Sequence, residues 1–265
     1  MNNFIFYVLI ACLITWGSTA LGAATIFFVK KFNQKVMDGM LGFAAGVMIS
    51  ASFFSLLIPA MEFSKEFNPN VNEMIVVSIG FLCGALFLLL IDVITPHLHI
   101  FEKEPEGPKS NLKRSWLLLL AITIHNIPEG LAVGIALGAY HISGNDISLL
   151  NAAMALAVGM AIQNFPEGAA ISFPLHREGV SKKKSFLFGQ ASAIVEPIGI
   201  VVGIILIQLI QPILPFALAF AAGAMMFVVI EELIPESQKA KNTNLSTMFT
   251  IIGLMVMMVL DVLLG

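Results

Sequence analysis

The sequence predicts an all-α integral membrane protein with eight transmembrane helices in one bundle, and three observations carry that prediction. The chain is 58% hydrophobic and only 12% charged. Its mean hydropathy is +0.91. Apolar stretches of about 20 residues, each enough to cross roughly 30 Å of hydrocarbon as a helix, recur along the whole length. Soluble domains devote about a quarter of their residues to charge, so this composition belongs in a bilayer.

The spans fall at about 4–29, 37–60, 73–95, 116–140, 149–173, 185–209, 213–235 and 246–264. The first has no basic segment before it and is followed closely by the second, so it reads as a true span and not a cleaved signal peptide. The second carries Gly42, Gly46 and Met48, and the third Gly80 and Gly84 before ending near Asp92. A stretch at about 98–115, with Pro105, Gly107, Pro108 and alternating charge, reads as a linker. The fourth span holds Gly130, Gly134 and Gly138 at four-residue spacing, and the sixth Gly199 and Gly203; small residues so spaced let helix backbones approach closely in lipid. The seventh ends on Glu231, Glu232 and Glu236. Cys12 and Cys83 fall inside helices and read as packing residues, giving no disulfide framework. No segment outside the spans is long enough to fold alone, so residues 1–265 read as a single transmembrane domain.

Orientation follows from the basic residues, which concentrate in cytoplasmic loops. Of the 14, all but Lys65 lie in the first, third, fifth and seventh loops. That pattern places both termini outside a cell (inner) membrane and the 98–115 linker in the cytoplasm. The net charge of −3 is no signature of a nucleic-acid partner.

A carboxylate at bilayer depth costs about 2.5–3.5 kcal/mol or more unless paired, protonated or metal-bound. Glu129, Glu167 and Glu196 sit near mid-span in the fourth, fifth and sixth helices. At 1.5 Å of rise per residue they lie about 19, 9 and 16 Å from the cytoplasmic ends of their helices, compatible with one shared layer.

Their surroundings are chemically specific. The fourth span reads His125, Asn126, Ile127, Pro128, Glu129, Gly130, and the fifth Gln163, Asn164, Phe165, Pro166, Glu167, Gly168. Consecutive spans run antiparallel, so the repeated N-x-P-E-G predicts inverted pseudo-symmetry about an axis in the membrane plane. His125 and Glu129 share one helix face, as do Gln163 and Glu167. Pro128 and Pro166 deprive the carbonyls of Ile124 and Ile162 of their donors, which predicts kinked fourth and fifth spans with a free carbonyl in each. An imidazole, three carboxylates and several amide oxygens suit Zn2+, Fe2+, Mn2+ or Co2+, whereas a soft Cu(I) site would want Cys or Met.

Any one such residue could be a satisfied hydrogen-bonding group; the duplicated pair with Glu196 is what argues for a ligand set. Asp92, His97 and His99 at the end of the third span, with Glu231, Glu232 and Glu236 at the end of the seventh, form either a cytoplasmic release path or an interfacial group snorkelling to water. Asp38 and Asp261 lie at helix ends and read as interfacial, and His141 and His176 fall in expected loops. An intramembrane metallohydrolase is disfavoured because Asn126 follows His125 where an H-E-x-x-H helix needs Glu. A proton-linked carrier of a non-metal solute, with the carboxylates relaying protons, stays as the alternative.

The HNIPEG and QNFPEG hexapeptides, with Glu196-Pro197, resemble the ZIP (Zrt/Irt-like) divalent metal transporters, nearest their GufA-like bacterial branch. The resemblance covers essentially the whole chain. It implies zinc uptake into the cytoplasm and a two-metal centre, with His125, Glu129, Gln163 and Glu167 around one ion and Asn126, Glu129, Asn164, Glu167 and Glu196 around a second. Met48 falls where the family can add a thioether ligand, and Asp92, His97 and His99 resemble its exit group. Asn164 departs from the Asp that related members often carry, which leaves occupancy of the second position open. The implied cargo is Zn2+, with Cd2+, Fe2+, Mn2+ and Co2+ as further candidates; no organic cofactor and no enzymatic activity are expected. The expected partners are the lipid bilayer and the ion, with a homodimer as the oligomer this reading allows.

Overall fold

The computed structural model describes residues 2–28, 33–67, 69–96, 114–238 and 243–264. Among them there is no strand, and eight helices are long and apolar enough to cross a membrane. The first span is α1 (Asn2–Ala24) and the second is α2 (Gln34–Ser50), a π-helical turn (Ala51–Leu57) and α3 (Ile58–Phe67). The third, fourth and fifth are α4 (Glu73–Ile94), α5 (Arg114–Ile142) and α6 (Ile147–Arg177). The sixth joins α7 (Lys182–Ala191) to α8 (Val195–Leu209) through a 3-10 turn, Ser192–Ile194. The seventh is α9 (Leu214–Val228), a π-helical turn (Val229–Leu233) and α10 (Ile234–Gln238), and the eighth is α11 (Thr243–Leu264).

Polar caps set several helix starts. Asn33, Asn72 and Asp146 accept from the backbone N–H two residues on, at 3.0, 2.8 and 2.9 Å, satisfying donors that the first turn leaves open. Helices run past the apolar limits expected from hydropathy because each helix carries its own backbone hydrogen bonds and need not end where its apolar residues do. His141 and His176 therefore lie in the last turns of α5 and α6, not in loops. His141 stacks on Phe4 at 4.3 Å, and His176 Nδ1 meets the Val180 carbonyl at 2.8 Å. Asp38 is likewise not interfacial. It is buried within the bundle, where Gln34 donates to it at 2.9 Å.

The second, fourth, fifth and seventh spans are the most buried, while the first, third and eighth present most of their apolar surface outward. The helix pairs are close. A Cβ on Gly46 would meet the backbone of Thr250, and one on Gly253 the backbone of Phe43. In the other half, Gly223 meets Phe81 and Gly84 meets Phe220 in the same way. One offset relates Phe43 and Gly46 to Phe220 and Gly223, and another relates Phe81 and Gly84 to Thr250 and Gly253. The inverted pseudo-symmetry is thus written into the packing, and the two π-helical turns fall at matching places. Helix α5 stays helical through Pro128 and α6 through Pro166.

Candidate metal centre

Helices α5 and α6 bring their repeated segments together against α8 and α1. Gly130 lies on the backbone of Glu196, and Gly168 on that of Thr19; a side chain at either glycine would push the motif off its neighbour. His125, Asn126, Glu129, Gln163, Asn164, Glu167 and Glu196 are all buried, none more than 8% exposed. Glu129 lies within electrostatic range of Glu196, Glu167 of Glu129 and Glu232, and Glu196 of Glu167. The three carboxylates that depth placed in one layer are therefore neighbours in space.

The hydrogen bonds in this layer are one-sided. Asn126 Nδ2 donates to the Ser192 carbonyl at 3.2 Å, and Asn164 Nδ2 to Glu196 Oε2 at 2.7 Å and the Thr15 carbonyl at 3.4 Å. Gln163 Nε2 donates to the Met160 thioether at 3.4 Å, and the Gln163 side chain also lies close to Glu129. The oxygens remain: Asn126 Oδ1, both oxygens of Glu129, Gln163 Oε1, Asn164 Oδ1, Glu167 Oε2 and Glu196 Oε1 are buried with no hydrogen-bond partner. An unsatisfied buried polar group costs about 1–3 kcal/mol, and every one of these is an acceptor. A cation among these acceptors would answer several of them at once. Among the described residues, no three His, Cys, Asp or Glu side chains converge as a ready-made cage. Amide oxygens make up much of the acceptor set, and His125 is engaged elsewhere.

His125 Nδ1 pairs with Glu232 Oε2 of the π-helical turn. Asp92 is within electrostatic reach of the same imidazole. A cavity of about 20 Å3, enough for one water or ion, lies among His125, Glu167, Glu232 and apolar neighbours. Glu232 and Asp92 thus join the motif layer, whereas Glu231 is exposed. Met48 is fully buried in the hydrophobic core. His97 and His99 lie outside the described residues.

At the other end of the bundle, a cavity of about 770 Å3 is lined by Glu62, Glu66, Asp146 and Asp261 among serine, glutamine and apolar residues, with no Lys, Arg or His among the described residues. Ser55 donates to Asp261 at 2.5 Å. The offset that carries Gly84 to Gly253 also carries Asp92 to Asp261, and that of the second and seventh spans carries Ser55 to Glu232. The two ends are built on the same plan with different polar groups. Sequence reading missed Thr15 and Ser192, which act through backbone carbonyls and so leave no side-chain signal. Glu232 was visible as a charge, but nothing local said that it turns inward to His125.

Residues 102–261 match the family model for ZIP zinc transporters. The chain belongs to the ZIP family. It is 37% identical to the zinc transporter ZIP11 of Homo sapiens, covering all of this chain and 99% of that protein. It is 33% identical to the zinc transporter GufA of Myxococcus xanthus, with 97% and 98% covered. The zinc transporter ZIPB of Bordetella bronchiseptica is 34% identical, over 94% of this chain and 79% of its own length. A resemblance first carried by two hexapeptides therefore extends across the fold.

Proposed function

We propose that this ZIP-family protein transports divalent metal cations, zinc first among them, into the cytoplasm through the layer formed by His125, Asn126, Glu129, Gln163, Asn164, Glu167 and Glu196. The observation that carries this reading is the set of buried oxygens without donors. Protonation would turn each carboxylate into a donor for one acceptor at most, whereas a cation can meet several of these oxygens at once, so a proton relay for a non-metal solute fits the layer less well. The full-length relatives named as zinc transporters support the same choice.

The ion enters by the acidic 770 Å3 cavity, gives up water to the central oxygens and leaves past His125, Glu232 and Asp92 toward the cytoplasm. The bound zinc is cargo, and the chain works as a transporter, not an enzyme. In this reading residues 1–265 act as one transmembrane domain in the cell (inner) membrane, with both termini outside and the acidic cavity facing out. Cd2+, Fe2+, Mn2+ and Co2+ share enough of the ligand preference to compete. A homodimer is compatible with the lipid-facing first, third and eighth spans.

Uptake of radioactive zinc into proteoliposomes tests the proposal. Saturable flux with the wild type and none with Glu129→Ala/Glu167→Ala is expected; equal flux from the two would sink it.

A further inference from the structure

We infer that in this chain Asn164 takes the place of a second ion, so that the centre carries one divalent cation at a time. The inference rests on the transport reading above and concerns how the same site is filled.

The orientation of the Asn164 amide is decided by its partners. The Thr15 carbonyl can only accept, so the amide nitrogen faces it, and the same nitrogen stands against Glu196 Oε2. Its two hydrogens are thereby assigned, at 2.7 Å to Glu196 Oε2 and 3.4 Å to Thr15. The shorter contact is a hydrogen bond to a buried carboxyl group. It occupies one of the two oxygens that Glu196 could lend to an ion.

Pseudo-symmetry supplies an internal comparison. Asn126 is the counterpart of Asn164 and donates to the Ser192 carbonyl, as Asn164 does to that of Thr15. The offset that relates Thr15 to Ser192 carries Thr19 to Glu196. Asn126 therefore faces no carboxylate through its amide, and only the Asn164 side of the centre has its acid capped by an N–H.

Charge points the same way. Two divalent ions would bring one more positive charge than Glu129, Glu167 and Glu196 can offset at a depth where uncompensated charge is costly, and the further carboxylates Glu232 and Asp92 lie on the His125 side of the centre, away from Asn164. An aspartate at position 164 would remove the N–H cap and add the missing negative charge.

The test counts zinc on the purified chain after equilibrium dialysis against zinc alone, with the wild type and Asn164→Asp each compared with its Glu129→Ala/Glu167→Ala form. The zinc lost on replacing the two glutamates is the occupancy of the centre, so ions bound at other sites cancel. One ion per chain is expected for the wild type and two for Asn164→Asp. Two ions lost from the wild type, or no gain in Asn164→Asp, would overturn the inference. No loss at all would instead overturn the transport reading beneath it. X-ray absorption on the zinc-loaded wild type needs no folded variant: the expected spectrum has no metal–metal distance near about 3.5–4 Å, and its presence would also overturn the inference.

Discussion

His125 of the fourth span and Glu232 of the seventh form a buried pair through Nδ1, so that Nε2 is the ring nitrogen outside that pair. A carboxylate behind a ligating histidine orients the ring and raises its basicity, and its loss typically costs about 10–100-fold in metal affinity. Glu232→Ala should therefore raise the zinc KM for uptake by about that factor, while Glu231→Ala, at an exposed position, leaves it unchanged. An unaltered KM in Glu232→Ala would show that the pair does not position the imidazole.

The close seats of Gly130 and Gly168 on neighbouring backbones leave no room for a methyl group, and backbone cannot swing aside as a side-chain tip can. Gly130→Ala and Gly168→Ala should each destabilise the detergent-solubilised protein by about 1–3 kcal/mol. Gly17 has nothing within 4 Å of where its Cβ would stand, so Gly17→Ala should be neutral or slightly stabilising, since Gly costs a helix about 0.5–1 kcal/mol relative to Ala. Thermal unfolding of the three variants side by side checks the contrast.

Zinc that settles among partnerless oxygens binds the folded chain in preference to the unfolded one. At 100 times its Kd it should add about 2.7 kcal/mol of stability, seen as a rise in Tm that a chelator reverses. The Glu129→Ala/Glu167→Ala protein should show no such rise; an equal rise there would locate the stabilising ion elsewhere.

Asp146 caps the exposed start of α6, where the backbone N–H and then the hydroxyl of Ser148 hold its carboxyl below the usual aspartate range. A carboxylate whose folded value is lowered contributes stability present above its unfolded pKa and lost as pH falls through the folded value. The protection of the Ser148 amide against hydrogen exchange, taken relative to its intrinsic rate at each pH, should accordingly fall on acidification more than in Asp146→Asn, whose neutral side chain caps at every pH.

Much of the architecture was legible because lipid imposes it. A helix must satisfy its own backbone, so length and apolarity located the spans, and a charge at depth marked the centre without any knowledge of packing. The ends were less legible. Helices α3 and α6 run on beyond the hydrocarbon limits to Phe67 and Arg177, and Asp38 is buried where an interfacial carboxylate was expected. Those positions depend on which neighbours cover them.

The sequence by itself determined the helical class, the repeated N-x-P-E-G segments and the mid-span positions of Glu129, Glu167 and Glu196, because 1.5 Å per residue and the cost of charge in lipid are local rules. Only the tertiary structure decided that His125 turns to Glu232, that the amides of Asn126 and Asn164 donate outward to Ser192 and Thr15, and that Asn164 also caps Glu196. Those choices depend on how each helix is rotated against its neighbours. Apolar residues on every side of a span do not encode that rotation; contacts such as Gly130 on Glu196 and Gly168 on Thr19 do.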